Sequence, residues 1–528
     1  MKYLLALDAG SGSCRSVIFT IDGKEIGFAS REWYHPTLPQ YPGSQVFETS
    51  QNWKLICESI KEALGKTNIS SSEIAAVSTT SMRFGSVLFD EDENEIWAAP
   101  NTDARANEQV IEALKEEHFE IFYRITGDGL TLCDLMRWMW VKKQLPEVWR
   151  KVKHFTLISD WVLYRLSGRF VSDPSIATSS GIFDISKRRW SEEIAELYSI
   201  PLEMAPEINE SGTVIGEVTA KASQDTGLAR GTPVVVGGGD TMAGLVGSGV
   251  VEKGTSSVIG GSHWQQTYLS DKPIFDSQAR IRVSPYMIKN LWMLETNSVF
   301  IGLTMRWFRD AFCGTEKTIA KEMGVDTYYL MEKMAEKAPP GSNGLITVFA
   351  NLYNAKQWVH AAPAFIQFDV TSPDKFGKKE FIRRIEEDAA LQSFGNLNSI
   401  WDAAGFHPDA SVEIVFSGGA SKGFLWPQIL ADVLGLRVKV PVVKEATAFG
   451  AAICAGVGLG IYNNVSDAAR ELVKWDKTYE PDMENHETYL DLYNKWRKAY
   501  EYSLNMADEG IVKPMWRPQG TVDRKSLK

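Results

Sequence analysis

The chain has 528 residues, of which 44% are hydrophobic and 23% charged, and a formal net charge of −11. This is the composition of a soluble globular protein long enough for two large domains. The acidic balance excludes a general nucleic-acid or acidic-membrane binder, because no basic excess exists to neutralise phosphates. The five cysteines (Cys14, Cys57, Cys133, Cys313 and Cys454) are scattered and form no CxxC pair. They fit a reduced, cytoplasmic protein better than a disulfide framework or a zinc site. The first apolar run is broken by Asp8, so no signal peptide is expected. Nothing approaches the roughly 18 apolar residues of a membrane span.

In chain order, residues 3–7 and 16–20 read as strands joined by a glycine loop, and Asp22-Gly23 leads into a third strand at 25–33. The chain thus opens as a meander, unlike the β-α-β start of a dinucleotide fold. Residues 51–63 carry helical periodicity, and 74–78 and 87–89 read as short strands. Residues 105–170 read as mostly helical and 182–232 as an irregular insertion. A buried strand at 233–239 delivers Asp240 after three glycines. Strand-to-glycine transitions recur at 255–261 and 414–419, and helices are expected at 302–312, 424–434 and 445–455. Residues 476–506 read as a charged, aromatic-rich helical tail. No short tandem repeat is present, but each half begins with small-residue loops between strands, and the boundary falls near 245–255.

Four glycine turns come after apolar strands, at 8–13, 237–240, 260–262 and 418–421. One such turn is ordinary strand punctuation. Four of them, two carrying an aspartate, point to a phosphate cleft, since backbone amides in these turns can converge on phosphate oxygens. The dinucleotide fingerprint is ruled out because Arg15 stands where its third glycine belongs and a strand comes next. The Walker loop is ruled out because Ile60 stands where its first glycine belongs, ahead of Gly65-Lys66-Thr67. The remaining design places ATP phosphates and Mg²⁺ between two domains that each supply loops. Mg²⁺ keeps several waters, so one or two carboxylates suffice, and Asp8 and Asp240 are the candidates. For Asp240, capping the next helix is the competing role.

These motifs resemble the FGGY carbohydrate kinases of the actin-like ATPase superfamily, over nearly the whole chain. The carriers are "LALDAGSGSCRSVIF", "PVVVGGGDTMAGLVGSG", "GTSSVIGGSHW" and the long run "IVFSGGASKGFLWPQILADVLGLRVKVPVVKEATAFGAAICAGVGLG". The resemblance implies an α/β fold of two actin-like (ribonuclease H-like) domains, with mixed sheets flanked by helices and ATP in the interdomain cleft. It implies an N-terminal domain at 1–248 for the substrate and first phosphate loop. A nucleotide-binding domain at 249–470 and a helical tail at 471–528 complete the division. The implied activity is ATP-dependent phosphorylation of a hydroxyl on a small polyol or sugar-like molecule. "SMR" at 81–83, "NTDARA" at 101–106, "ISDW" at 158–161, "GGSHWQQ" at 260–266 and "GLTMRWFRDAFC" at 302–313 narrow the resemblance to one branch. That branch phosphorylates the terminal hydroxyl of a signal molecule, open-chain 4,5-dihydroxy-2,3-pentanedione.

By the same resemblance Asp240 is the base that accepts the substrate hydroxyl proton. Asp8 acts on Mg²⁺ through water, with Gly10, Ser11, Gly12 and Ser13 forming the first phosphate loop. Gly260, Gly261 and Ser262 form the second, and Gly418 and Gly419 lie beneath the nucleotide. Arg15 is either a phosphate contact or a solvated strand residue. Arg83 is expected to touch the substrate, with a salt bridge to Asp103 as the alternative. Phe84 departs from the family, where a polar residue is common; Phe cannot bind a hydroxyl, so either that contact comes from elsewhere or the pocket is more apolar. Trp264 is expected to wall that pocket, with core packing as its alternative. The competing functions are kinases for a pentulose or glycerol-type substrate, and a sugar sensor without kinase activity. Among partners, neither nucleic acid nor membrane is expected, and a homodimer is one option for assembly.

Overall fold

The computed structural model describes residues 2–349, 351–357 and 360–516. The N-terminal lobe is built on six strands: β1 (Tyr3–Ala9), β2 (Ser13–Thr20), β3 (Glu25–Glu32), β4 (Ile74–Ser81), β5 (Val214–Glu217) and β6 (Pro233–Gly239), ordered β5-β6-β4-β1-β2-β3. Strands β1, β2 and β3 form the expected antiparallel meander, and β4 and then β6 join parallel on the other side of β1. Leu4 to Leu7 are buried without interruption, as a central strand covered on both faces requires. Helix α1 (Thr49–Gly65) covers β2 and β3 with its buried stripe Trp53, Ile56, Ile60 and Ala63.

Helix α2 (Asp240–Gly247) leaves the end of β6 and leads to the second lobe. Its strands are β7 (Ser256–Gly260), β8 (Trp264–Ser270), β9 (Arg282–Pro285), β10 (Trp292–Ser298), β11 (Glu413–Ser417), β12 (Arg437–Pro441) and β13 (Trp475–Tyr479), ordered β9-β10-β8-β7-β11-β12-β13. Here too a meander, β7-β8-β10, is extended across its first strand by two parallel strands, β11 and β12. The two-fold echo of the loops is thus a repeat of topology. The long helix of this lobe is α3 (Lys378–Ala404), and the Ala-rich helix is α4 (Ala446–Gly458). The lobes share a third core, where α2 and α4 pack with Leu4, Ala6 and Val235 from the first sheet and Met293 from the second. The fold is the expected α/β pair of mixed sheets flanked by helices.

One region departs from the expectation, and a second carries none. Residues 475–479 are a strand, β13, paired antiparallel with β12. The next helix, α5 (Met483–Asp508), buries Tyr489, Trp496 and Tyr500 in the C-terminal core. Trp496 Nε1 donates to Asp388 at 2.7 Å and Tyr489 donates to Glu387 at 3.0 Å. The tail up to residue 508 is therefore part of the second lobe, and residues 517–528 lie outside the described residues. The 27-residue α3 has no clear hydropathy signal, because its buried side carries Arg383, Arg384, Glu387 and Asp388, the first three joined in ion pairs. Among the described residues no helix is long and apolar enough to cross a membrane, and all five cysteines are buried and free.

Candidate active site

The first loop is braced from behind. Gly10 N–H donates to Ser13 O at 3.0 Å, closing the turn. Trp33 Nε1 donates to Gly10 O at 3.1 Å, the His35 ring bonds Ser11 O at 3.1 Å, and Trp33 N–H donates to Gly12 O at 3.2 Å. In a planar trans peptide the C=O and the adjoining N–H point opposite ways. Holding the carbonyls of Gly10 and Ser11 therefore turns the amides of Ser11 and Gly12 away from Trp33 and His35. Neither Trp33 nor His35 is flagged by any sequence motif.

Asp8 lies one strand from β4, opposite Thr80, while Gly239 lies opposite Ser81 across the same strand. Two interstrand steps, about 10 Å, thus separate the backbone positions that carry Asp8 and precede Asp240. Asp8 is buried, its Oδ1 has no hydrogen-bond partner among the described residues, and its Oδ2 is 3.5 Å from Arg15. Burial pushes its carboxyl up to about 7; Arg15 opposes this, and the charges of Asp240 and Glu445 reinforce it. Arg15 is part-exposed between Asp8 and Glu445, 3.4 Å from the latter. Asp240 occupies the first position of α2, where its Oδ1 accepts the Thr241 N–H at 2.6 Å. Burial raises its carboxyl, and the Arg83 guanidinium is the main opposing influence.

The second and third turns meet in the C-terminal lobe. Gly261 N–H donates to His263 O at 3.2 Å, leaving Ser262 exposed. Gly418 has φ +92°, and a Cβ there would stand 2.7 Å from Gly260 O, so only glycine lets the turns stack. Gly260, Gly261, Ser262 and Gly419 line one cavity of about 670 Å³, whose wall also carries Tyr328 and Phe424. Among the described residues no group of three or more His, Cys, Asp or Glu side chains could hold a metal ion.

Three expected substrate residues have partners that the sequence reading does not give. Arg83 is buried, and its two terminal nitrogens donate to both oxygens of Glu295, each at 2.8 Å. The alternative partner Asp103 is instead held by Arg105 at 2.7 Å. Phe84 takes φ +64°, with the guanidinium carbons of Arg83 and Arg282 at 5.5 and 5.1 Å from its ring centroid. An aromatic ring within cation–π reach of two guanidiniums gives the non-polar residue at this position a role. Trp264 is a correction: it is fully buried and packed on Phe416 and Trp426 at 5.3 and 5.1 Å, which is the core-packing alternative and not an exposed wall. As the first residue of β8, paired with Gly260, it points into the core beneath the second turn. Glu295 and Arg282 escape sequence reasoning, since they lie on strands distant in the chain.

Two α/β lobes of one plan, with glycine turns in both and two carboxylates at strand ends of the first, define the class of two-domain sugar kinases. Residues 3–247 match the N-terminal domain and residues 249–459 the C-terminal domain described for FGGY carbohydrate kinases. Over 522 residues the chain is 44% identical to autoinducer-2 kinase from Escherichia coli, with 98% of each chain covered. It is 42% identical to autoinducer-2 kinase from Salmonella paratyphi A, with the same coverage. The solved structure of xylulose kinase from Lactobacillus acidophilus, 19% identical, superposes with a TM-score of 0.85 over 97% of this chain and 100% of that one. The chain belongs to the FGGY family of carbohydrate kinases, phosphotransferases with an alcohol group as acceptor.

Proposed function

We propose that the protein transfers the γ-phosphoryl group of ATP to the terminal hydroxyl of autoinducer-2 in its open-chain form, 4,5-dihydroxy-2,3-pentanedione, giving phospho-autoinducer-2. The observation that carries this reading is the 44% identity to an autoinducer-2 kinase across 98% of both chains. In this reading residues 1–248 supply the substrate side and the first phosphate loop, and the C-terminal lobe holds the nucleotide against the turns at 260–262 and 418–419.

Asp240 accepts the hydroxyl proton as the alcohol oxygen attacks the γ-phosphorus. Its raised carboxyl makes it a better proton acceptor than an exposed aspartate. Phosphoryl transfer is loose, so aiming the hydroxyl matters more than removing its proton early. The amides of Ser11 and Gly12, turned away from Trp33 and His35, orient one side of the phosphate chain. The donor set suits a hydrated Mg²⁺: Asp8 keeps a buried Oδ1 without a partner among the described residues, its carboxyl feels the charge of Asp240, and two carboxylates with nucleotide phosphates and waters would satisfy the ion. Asp8 and Asp240 would hold it through water, and it would neutralise phosphate charge. Arg83, anchored on Glu295, remains close enough to Asp240 to act on its carboxyl and orients oxygens of the substrate through its other N–H groups.

The test is ATP-coupled turnover by the purified protein against the pentanedione, pentuloses, glycerol and gluconate. The expected result is rapid turnover of the pentanedione alone. Rapid turnover of a pentulose without turnover of the pentanedione would overturn the substrate, and no turnover of any alcohol would overturn the kinase reading.

A further inference from the structure

The strand that delivers Asp240 does not run regularly to its end. Along β6, Val234 and Val235 pair with Val77 and Ser78, but Gly238 and Gly239 pair with Thr80 and Ser81. Three residues of β6 thus advance against two of β4, which is a β-bulge immediately before the catalytic position. A bulge inserts an unpaired residue, disrupts the ladder and re-aims the side chains beyond it. The crowding there is severe: a Cβ at Gly237 would stand 1.9 Å from Thr79 O.

A bulge needs a substitute partner for any amide the ladder no longer serves, because a buried N–H left unmade is costly. The Gly239 N–H, one residue before Asp240, donates to Ser175 Oγ at 3.1 Å. Ser175 Oγ in turn donates to Asp173 Oδ1, and that same oxygen accepts the amides of Ser175 and Ile176 at 2.9 and 3.1 Å. The second oxygen of Asp173 accepts the Ser211 hydroxyl at 2.7 Å. Ser211 leads into β5, and Gly212 N–H donates to Val236 O at 2.8 Å, on the bulged stretch itself. Ser175 is fully buried and Asp173 nearly so, so water does not replace these bonds.

We infer that Ser175 is a positioning residue for phosphoryl transfer: held by Asp173, its hydroxyl clamps the bulged end of β6 and sets the direction in which Asp240 faces the substrate hydroxyl. The inference rests on the reading of Asp240 as the proton acceptor. Ser175 touches neither substrate nor nucleotide; it acts through the Gly239 amide. Losing the clamp leaves the Gly239 N–H unpaired and the peptide before Asp240 free to rotate, while the glycine turns that bind nucleotide are untouched.

The experiment compares Ser175→Ala, Ser175→Thr and Asp240→Asn with the wild-type enzyme. It uses the best acceptor found in the turnover panel, measures ADP affinity by calorimetry and follows thermal melting. Ser175→Ala is expected to lower kcat about tenfold, the loss of one buried hydrogen bond. Its KM for ATP and its ADP dissociation constant should stay within twofold. Ser175→Thr, which restores a hydroxyl, should recover kcat to within about threefold. Ser175→Ala with unchanged kcat overturns the inference, and so does a fall in kcat matched by an equal loss of ADP affinity. Ser175→Thr as impaired as Ser175→Ala also overturns it. If Asp240→Asn abolishes transfer while Ser175→Ala does not alter it, only the inference fails. If Asp240→Asn stays active, the reading of Asp240 fails and the inference with it.

Discussion

Replacing Glu295 by alanine tests the connection between the lobes. Glu295 is fully buried on β10, takes two 2.8 Å bonds from Arg83 and stands 3.6 Å from Arg282. Its two cationic neighbours hold its carboxyl below the ordinary range against the effect of burial. Glu295→Ala leaves the Arg83 guanidinium buried without its counter-ion, and breaking a buried pair in this way costs about 3–5 kcal/mol. Arg282 keeps Asp128 at 2.7 Å, so the loss falls mainly on Arg83. For a unit of about 150–250 residues each kcal/mol moves the melting midpoint by roughly 2–4 °C, so a fall on the order of 10 °C is expected. The double variant Arg83→Met/Glu295→Met removes both charges at similar volume and should recover most of the stability. Calorimetric melting of Arg83→Met, Glu295→Met and the double variant gives the coupling. Effects that add within about 0.5 kcal/mol would refute the bidentate pair as an energetic unit. So would Glu295→Ala melting with the wild type.

Three further outcomes are expected from the geometry. Asp240→Asn should lower kcat by about three orders of magnitude, within the usual range for a general base, while calorimetry shows ADP affinity within twofold; a variant at a tenth of wild-type turnover contradicts its role. Trp33→Phe loses the 3.1 Å bond to Gly10 O and should raise the KM for ATP severalfold, about 1 kcal/mol, with kcat nearly constant; a change in kcat alone would argue against loop bracing. Asp160 is buried, and that burial pushes its carboxyl up to about 8 from 3.8. Between these pH values the folded state keeps a proton that the unfolded state has lost, so wild-type stability falls as pH rises and the penalty levels off above about 8. Asp160→Asn carries no such penalty, so its melting advantage should grow from about pH 4 to about pH 8 and then hold. An advantage independent of pH would show that the carboxyl is not held neutral.

Much of the fold was legible because its signals are local. The opening meander, the strand before Asp240 and the Ala-rich helix α4 each announce themselves within a short run of sequence, through apolar runs, a hairpin turn or small residues at close spacing. The elements that escaped were those whose partners lie elsewhere. Residues 475–479 look like part of a helical tail until β12 offers an edge to pair with. Helix α3 buries arginines and glutamates against one another, so its hydropathy contradicts its burial. Trp264 reads as either a pocket wall or core packing, and alternation along β8 turns it into the core.

The sequence by itself determined the two-lobed architecture, the kinase family and the four glycine turns with Asp8 and Asp240. Each of these is written in contiguous residues, where strand, turn and glycine geometry are set by the local backbone. Only the tertiary structure decided what those residues face. Arg83 meets Glu295 across 212 positions of chain, Phe84 has two guanidiniums near its ring, and the bulge before Asp240 is held by Ser175. Such contacts depend on strand register and lobe packing, which bring together side chains that carry no mutual signal in one dimension.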